Sequence, residues 1–153
     1  MPELDNLYQE VVMDHGSNPR NMGPVNGAQK SAHGFNPFCG DLFDIEIRIE
    51  NDTITDAGFT GKGCAISRAS ASLMTEAVKG GTEAEAQELF TAFHSMIMAD
   101  ENVSEFEDEL LGDVSALRGV SDYPTRIKCA MLGWRTLVAA ISGESQGKTV
   151  STE

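Results

Sequence analysis

Basic residues are scarce in this sequence and nowhere clustered. Lys and Arg number 11 against 24 Asp and Glu, a formal net charge of −13 over 153 residues. Nucleic acid and anionic membrane surfaces repel such a chain, so neither is an expected partner. No apolar run approaches the roughly 20 residues of a membrane span. The opening Met1-Pro2-Glu3-Leu4-Asp5 has no basic stretch ahead of an apolar one, so no secretion signal is expected, and the expected compartment is the cytoplasm. The three cysteines, Cys39, Cys64 and Cys129, include no C-x-x-C pair. An odd number of cysteines is a poor disulfide framework and a better set for metal or thiol chemistry. No internal repeat and no linker divides the chain. At this length that predicts one domain over residues 1–142, followed by a small, polar tail over 143–153 that frays.

What is present is ordinary globular material. Hydrophobic residues at 41% and charged residues at 23% exclude disorder over most of the length. Leu4, Leu7, Tyr8, Val11, Val12 and His15 recur at three and four residues and predict a first helix, ended by Gly16 and Pro19. Phe43, Ile45, Ile47 and Ile49 alternate with Asp44, Glu46, Arg48 and Glu50, the pattern of a half-buried strand. Glu50-Asn51-Asp52 supplies turn residues before a second strand from Thr53 to Thr60, and Lys30 to Phe38 reads as a third. From residue 65 the period becomes helical through Ile66, Ala69, Leu73 and Ala77, and Gly80-Gly81 stops it. Thr82 and Glu85 have capping-box spacing ahead of a helix carrying Ala86, Leu89, Phe90, Phe93 and Ile97. A shorter element follows around Leu110, Leu111, Val114 and Leu117. Pro124 opens a last helix that buries Ile127, Met131, Trp134, Val138 and Ile141. Strands first and helices later predict an α+β fold: a small antiparallel three-stranded sheet with helices packed on one face.

The cysteines fall at the boundaries of these elements. Cys39 and Asp41, two apart at a strand start, point the same way, and Gly40 between them lets the chain turn closely. Cys64 follows Gly61-Lys62-Gly63 and opens a helix, and Cys129 lies in the first turns of the last helix. Helix starts favour thiolate over thiol, and Lys62, Arg126 and Lys128 lie beside these cysteines in sequence. Three thiolates and a carboxylate form a tetrahedral set suited to zinc; the same residues also suit an iron–sulfur cluster. A thiol hydrolase pairing Cys64 with His15, His33 or His94 is a further use of a helix-start cysteine. His15 and His94, however, lie on helix stripes as structural residues do. A purely structural zinc is also compatible with the ligand set.

Three motifs narrow this choice: Cys39-Gly40-Asp41, the stretch Gly61-Lys62-Gly63-Cys64-Ala65-Ile66-Ser67-Arg68-Ala69-Ser70-Ala71-Ser72, and Arg126-Ile127-Lys128-Cys129-Ala130. With Asp14-His15-Gly16-Ser17-Asn18-Pro19-Arg20-Asn21-Met22-Gly23, they resemble the iron–sulfur cluster assembly scaffolds of the NifU/IscU family over roughly residues 4–142. Within that family the chain resembles the SufU branch. Sixty-five positions separate Cys64 from Cys129, more than in IscU-type members, and Lys128 stands where those members carry a histidine before the third cysteine. The resemblance implies a zinc-dependent sulfurtransferase of the SUF system. Zinc would be held by Cys39, Asp41, Cys64 and Cys129, and sulfur would be received from a SufS-type, pyridoxal-phosphate-dependent cysteine desulfurase and passed to downstream cluster assembly proteins. It implies Cys39 as the persulfide acceptor, freed from zinc when a histidine of the desulfurase replaces it. Local physics alone points instead to Cys64. Arg126 either positions the transferred sulfur or makes an ordinary ion pair. The alternative within the family is a scaffold that assembles and transfers an iron–sulfur cluster on the same cysteines.

Overall fold

Alternating burial builds the sheet. The computed structural model describes residues 10–37, 39–98, 109–143 and 149–151. Strands β1 (Lys30–Asn36), β2 (Asp41–Glu50) and β3 (Thr53–Lys62) pair antiparallel, as the alternation predicts. Ala32, Phe43, Ile45, Ile47, Ala57 and Phe59 are buried on one face, whereas Ser31, His33, Leu42 and Glu50 are exposed. The β2–β3 hairpin turns through Asn51 and Asp52, both at positive φ (51° and 64°), a two-residue turn whose twist matches the strands. A fourth strand was not expected. β4 (Thr149–Ser151) comes from the tail assigned to fraying and runs parallel to β1, giving the order β3-β2-β1-β4. Periodicity could not reveal three residues that contribute backbone hydrogen bonds to a neighbouring strand.

The helices lie against the apolar face of the sheet. α1 (Glu10–Ser17) is the end of the first predicted helix; Leu4, Leu7 and Tyr8 lie outside the described residues. α2 (Ala65–Val78) and α3 (Glu83–Ile97) follow, the latter opened by the expected capping box between Thr82 and Glu85. The short element around Leu111 and Leu117 is a 3-10 segment, Gly112–Asp122. α4 (Pro124–Ser142) has proline in its first turn and ends at Gly143, whose φ of 75° is a left-handed cap.

α4 is the central helix, packed on α2, β1 and β2. The ring of Trp134 stacks on Phe93 of α3, with centroids 4.4 Å apart, and is fully buried. Its indole N–H donates to Ser70 Oγ at 3.1 Å, and the Ser70 hydroxyl donates to the Ala130 carbonyl at 2.6 Å. Ser70 and Ser72 of α2 are thus core residues with partners on α4 and α1, so the helix can be buried without leaving their hydroxyls unpaired. On the other side, His15 Nδ1 meets Ser72 Oγ at 2.6 Å. This packing fixes the N-termini of α2 and α4 against the β1–β2 turn, where the cysteines are.

Candidate metal centre

Each cysteine is presented by a different element. Cys39 is exposed on the β1–β2 turn, Cys64 is half-buried as the N-cap of α2, and Cys129 is fully buried in α4. Donor atoms of Cys39, Asp41 and Cys129 all lie within 4.8 Å of one another. The Cys129 thiol donates to Cys39 Sγ at 3.2 Å. Cys64 stands outside the 4.8 Å set. Its sulfur accepts from Ser67 N at 3.5 Å, and its own backbone N–H donates to Asp41 Oδ1 at 2.9 Å. Side chains from three separate elements thus converge.

The approach needs a glycine. A Cβ built on Gly63 would lie 2.2 Å from Ser67 Oγ, 2.9 Å from Phe43 Cζ and 3.0 Å from Asp41 Oδ1. Any side chain there would force the N-cap of α2 away from Asp41. Asp41 itself is 1% exposed, and both its oxygens are held: Oδ1 by the Cys64 N–H, and Oδ2 by Asn36 Nδ2 at 3.0 Å.

The electrostatics separate the two helical cysteines. Without a metal, the hydrogen bond from Cys129 pulls the Cys64 thiol down to about 5, aided by Ser67 at the helix start. Cys129 moves the other way: the neighbouring Cys64 and its burial push its pKa up. The helix-start effect expected at both cysteines is thus seen at Cys64 alone. Cys129 is the sixth residue of α4, beyond the unpaired N–H groups of the first turn. Arg126 lies close to the sulfurs, Cys129 foremost, and this raises its own pKa. Lys62 is exposed, paired with Leu42 across the outer face of the sheet.

The histidines are elsewhere. His15 is buried against Ser72 and its pKa is lowered by that burial; His33 pairs with Asp44 on the outer face; His94 lies beside Phe90. Among the described residues none joins the cysteine cluster, which leaves the thiol-hydrolase reading without a base. Sequence reasoning missed Asn36 and Ser67. A signal for Asn36 was available: it shares strand parity with Ala32 and Gly34, an inward polar residue three positions before a cysteine.

The donor set suits zinc. A tetrahedral ion with Zn–S distances of about 2.3 Å spaces its sulfurs about 3.8 Å apart, and the observed cluster is on that scale. Burial of the carboxylate and of one thiol, with Cys39 exposed, describes a site closed on the protein side and open at Cys39.

Comparison with known proteins agrees with this geometry. Residues 7–130 match the NifU-like N terminal domain family. The chain is 42% identical over 145 residues to the zinc-dependent sulfurtransferase SufU of Bacillus subtilis (strain 168), covering 94% of this chain and 95% of that one. It is 36% identical over 153 residues to the iron–sulfur cluster assembly scaffold protein IscU of Streptococcus pyogenes serotype M1, covering 100% of this chain and 94% of that one. The crystal structure of the SUF-system scaffold SufU from Fervidobacterium islandicum AW-1 superposes with a TM-score of 0.81 at 34% identity, covering 90% of this chain and 98% of that one. The fold, the thiol-rich site and these matches together make the chain a member of the NifU-like N-terminal domain family.

Proposed function

We propose that this protein is a zinc-dependent sulfur acceptor of cytoplasmic iron–sulfur cluster assembly, with Cys39, Asp41, Cys64 and Cys129 as the metal ligands. The observation that carries the reading is the convergence of the Cys39, Asp41 and Cys129 donor atoms within 4.8 Å, with the backbone N–H of Cys64 bound to Asp41 Oδ1 at 2.9 Å. When bound, zinc keeps the thiols ionised at neutral pH, where a free thiol of pKa about 8.5 is mostly protonated. The division of labour follows from mobility. Cys39 is exposed on a turn, whereas Cys64 and Cys129 are held on helices, so Cys39 is the sulfur that meets a partner. Its thiolate attacks the terminal sulfur of a persulfide on a SufS-type cysteine desulfurase. A new S–S bond forms on Cys39, the donor's S–S bond breaks, and the donor cysteine leaves as thiolate. The Arg126 guanidinium, facing the sulfurs from α4, positions the anionic persulfide as it arrives. Downstream cluster assembly proteins receive the sulfur.

Mixing the protein with desulfurase, pyridoxal phosphate and cysteine, without reductant, tests this. One added sulfur mass is expected on the peptide containing Cys39. Sulfur found only on Cys64 or Cys129 overturns the assignment. No added sulfur, with bound iron and sulfide after purification, would favour cluster assembly on the same cysteines, the function carried in the name of the 36%-identical Streptococcus relative.

A further inference from the structure

Asn36 has no part in the ligand set, yet it sits behind two of its members. It is the last residue of β1, is 0% exposed, and points to the helix-covered face of the sheet. The two inward positions before it are Ala32 and Gly34, small residues that let α4 approach. A buried carboxamide in that row needs hydrogen-bond partners, because an unpaired one is destabilising by about 1–3 kcal/mol. Its Nδ2 has two: Asp41 Oδ2 at 3.0 Å and Cys129 Sγ at 3.5 Å. A primary amide carries two N–H bonds, so one nitrogen serves both acceptors. It links the β1–β2 turn to α4 at the floor of the site.

The consequences differ for the four candidate ligands. Asp41 is clamped from both sides, with Asn36 on one oxygen and the Cys64 N–H on the other. A carboxylate has about four lone-pair positions, so an oxygen that accepts a hydrogen bond can still bind a metal. Cys129 accepts the amide N–H on its sulfur, which draws charge from a thiolate and makes it a poorer nucleophile. Cys39 sits outside this clamp; its sulfur accepts from the Cys129 thiol at 3.2 Å.

We propose that Asn36 is a positioning residue that keeps Asp41 and Cys129 in the zinc ligand set while Cys39 is exchanged. The inference rests on the zinc-dependent reading above and deepens it: it gives Asp41 and Cys129 a hold that Cys39 lacks. Partners behind metal ligands, when removed, lower metal affinity by about 10–100-fold.

The test uses the full chain, with Asn36→Leu, similar in volume and without N–H donors, and Asn36→Ser, smaller and polar. Zinc affinity is read by chelator competition, and the ligand set by the visible spectrum of the cobalt(II)-loaded protein. The metal-free melting curve reports the fold. The expected result is a variant that melts like wild type without metal, binds zinc about 10–100-fold more weakly, and shifts the cobalt bands as Asp41 loosens. Unchanged affinity and an unchanged cobalt spectrum in a folded variant overturn the proposal while leaving the zinc reading intact. Failure of both variants to fold without metal also overturns it, because Asn36 would then belong to the scaffold. Wild-type protein that binds no zinc overturns the underlying reading instead.

Discussion

The two ends of the sheet's inner face are built on opposite principles. Toward the far end, Ile45, Ile47, Ile54 and Phe59 pack against the helices with no polar atom among their side chains. At the near end the inward rung is Asn36 facing Asp41, followed by Cys129 from α4 and the N-cap of α2. The far end is stabilised by burial alone, about 25 cal/mol per Å² of apolar surface removed from water. The near end buries a carboxylate and an amide whose desolvation is offset by hydrogen bonds to named partners. A purely apolar end is needed to hold the fold, so that the polar end can keep thiols unpaired and one of them exposed.

Damage to the apolar half should have the largest effect. Trp134→Ala removes the ring stacked on Phe93 and leaves Ser70 without its indole donor. A loss of about 3–5 kcal/mol is expected in urea unfolding, with zinc affinity of the folded fraction little changed. A comparable loss of zinc affinity would show that the two ends are not independent.

Zinc removal probes the polar half. With free zinc at 100 times its Kd, bound metal adds about 2.7 kcal/mol to stability. Strong chelator should therefore lower the melting temperature by several degrees, about 4–8 °C per kcal/mol for a domain of 60–100 residues and less for this longer chain. An unchanged melt in protein confirmed metal-free would sink the zinc assignment.

Much of this comparison was legible in the sequence. The alternation from Phe43 to Ile49 specified β2 and its buried face, and the glycine, proline and capping signals specified the helices. The Cys-Gly-Asp, Gly-Lys-Gly-Cys and Lys-Cys motifs drew attention to the right end of the molecule. Not legible were β4, a three-residue strand made by backbone pairing, and Asn36, whose importance depends on two acceptors 5 and 93 positions away. The difference between Cys64 and Cys129 was not legible either, since both read as helix-start thiols.

The smallest effect concerns that difference. In metal-free protein Cys64 is lowered from 9.0 to about 5. A depressed folded pKa stabilises fully above the unfolded value, so this contribution shrinks as pH falls from about 9 toward 5 and is absent below. Cys129, shifted upward, opposes it only above 9.0. Alkylation followed by peptide mapping should show Cys64 reacting with a midpoint near pH 5, while Cys129 stays unmodified to pH 8. The urea midpoint of the metal-free protein should rise modestly over the same range. A Cys64 midpoint near the free-thiol value would break the contrast between the two thiols.

By itself the sequence determined the three antiparallel strands and the helices, because periodicity, caps and turn residues act within a few positions of each other. It also determined the chemistry on offer: three thiols, one carboxylate and few cations. The tertiary structure alone decided how these are used. Packing of α2 and α4 on the sheet, with Gly63 allowing the last close approach, brings Cys64 and Cys129 to a turn that precedes them by 25 and 90 residues. Burial then sets the thiols apart. The deeper thiol of Cys129 keeps its proton, the N-cap thiol of Cys64 takes the charge, and Cys39 stands exposed on the turn.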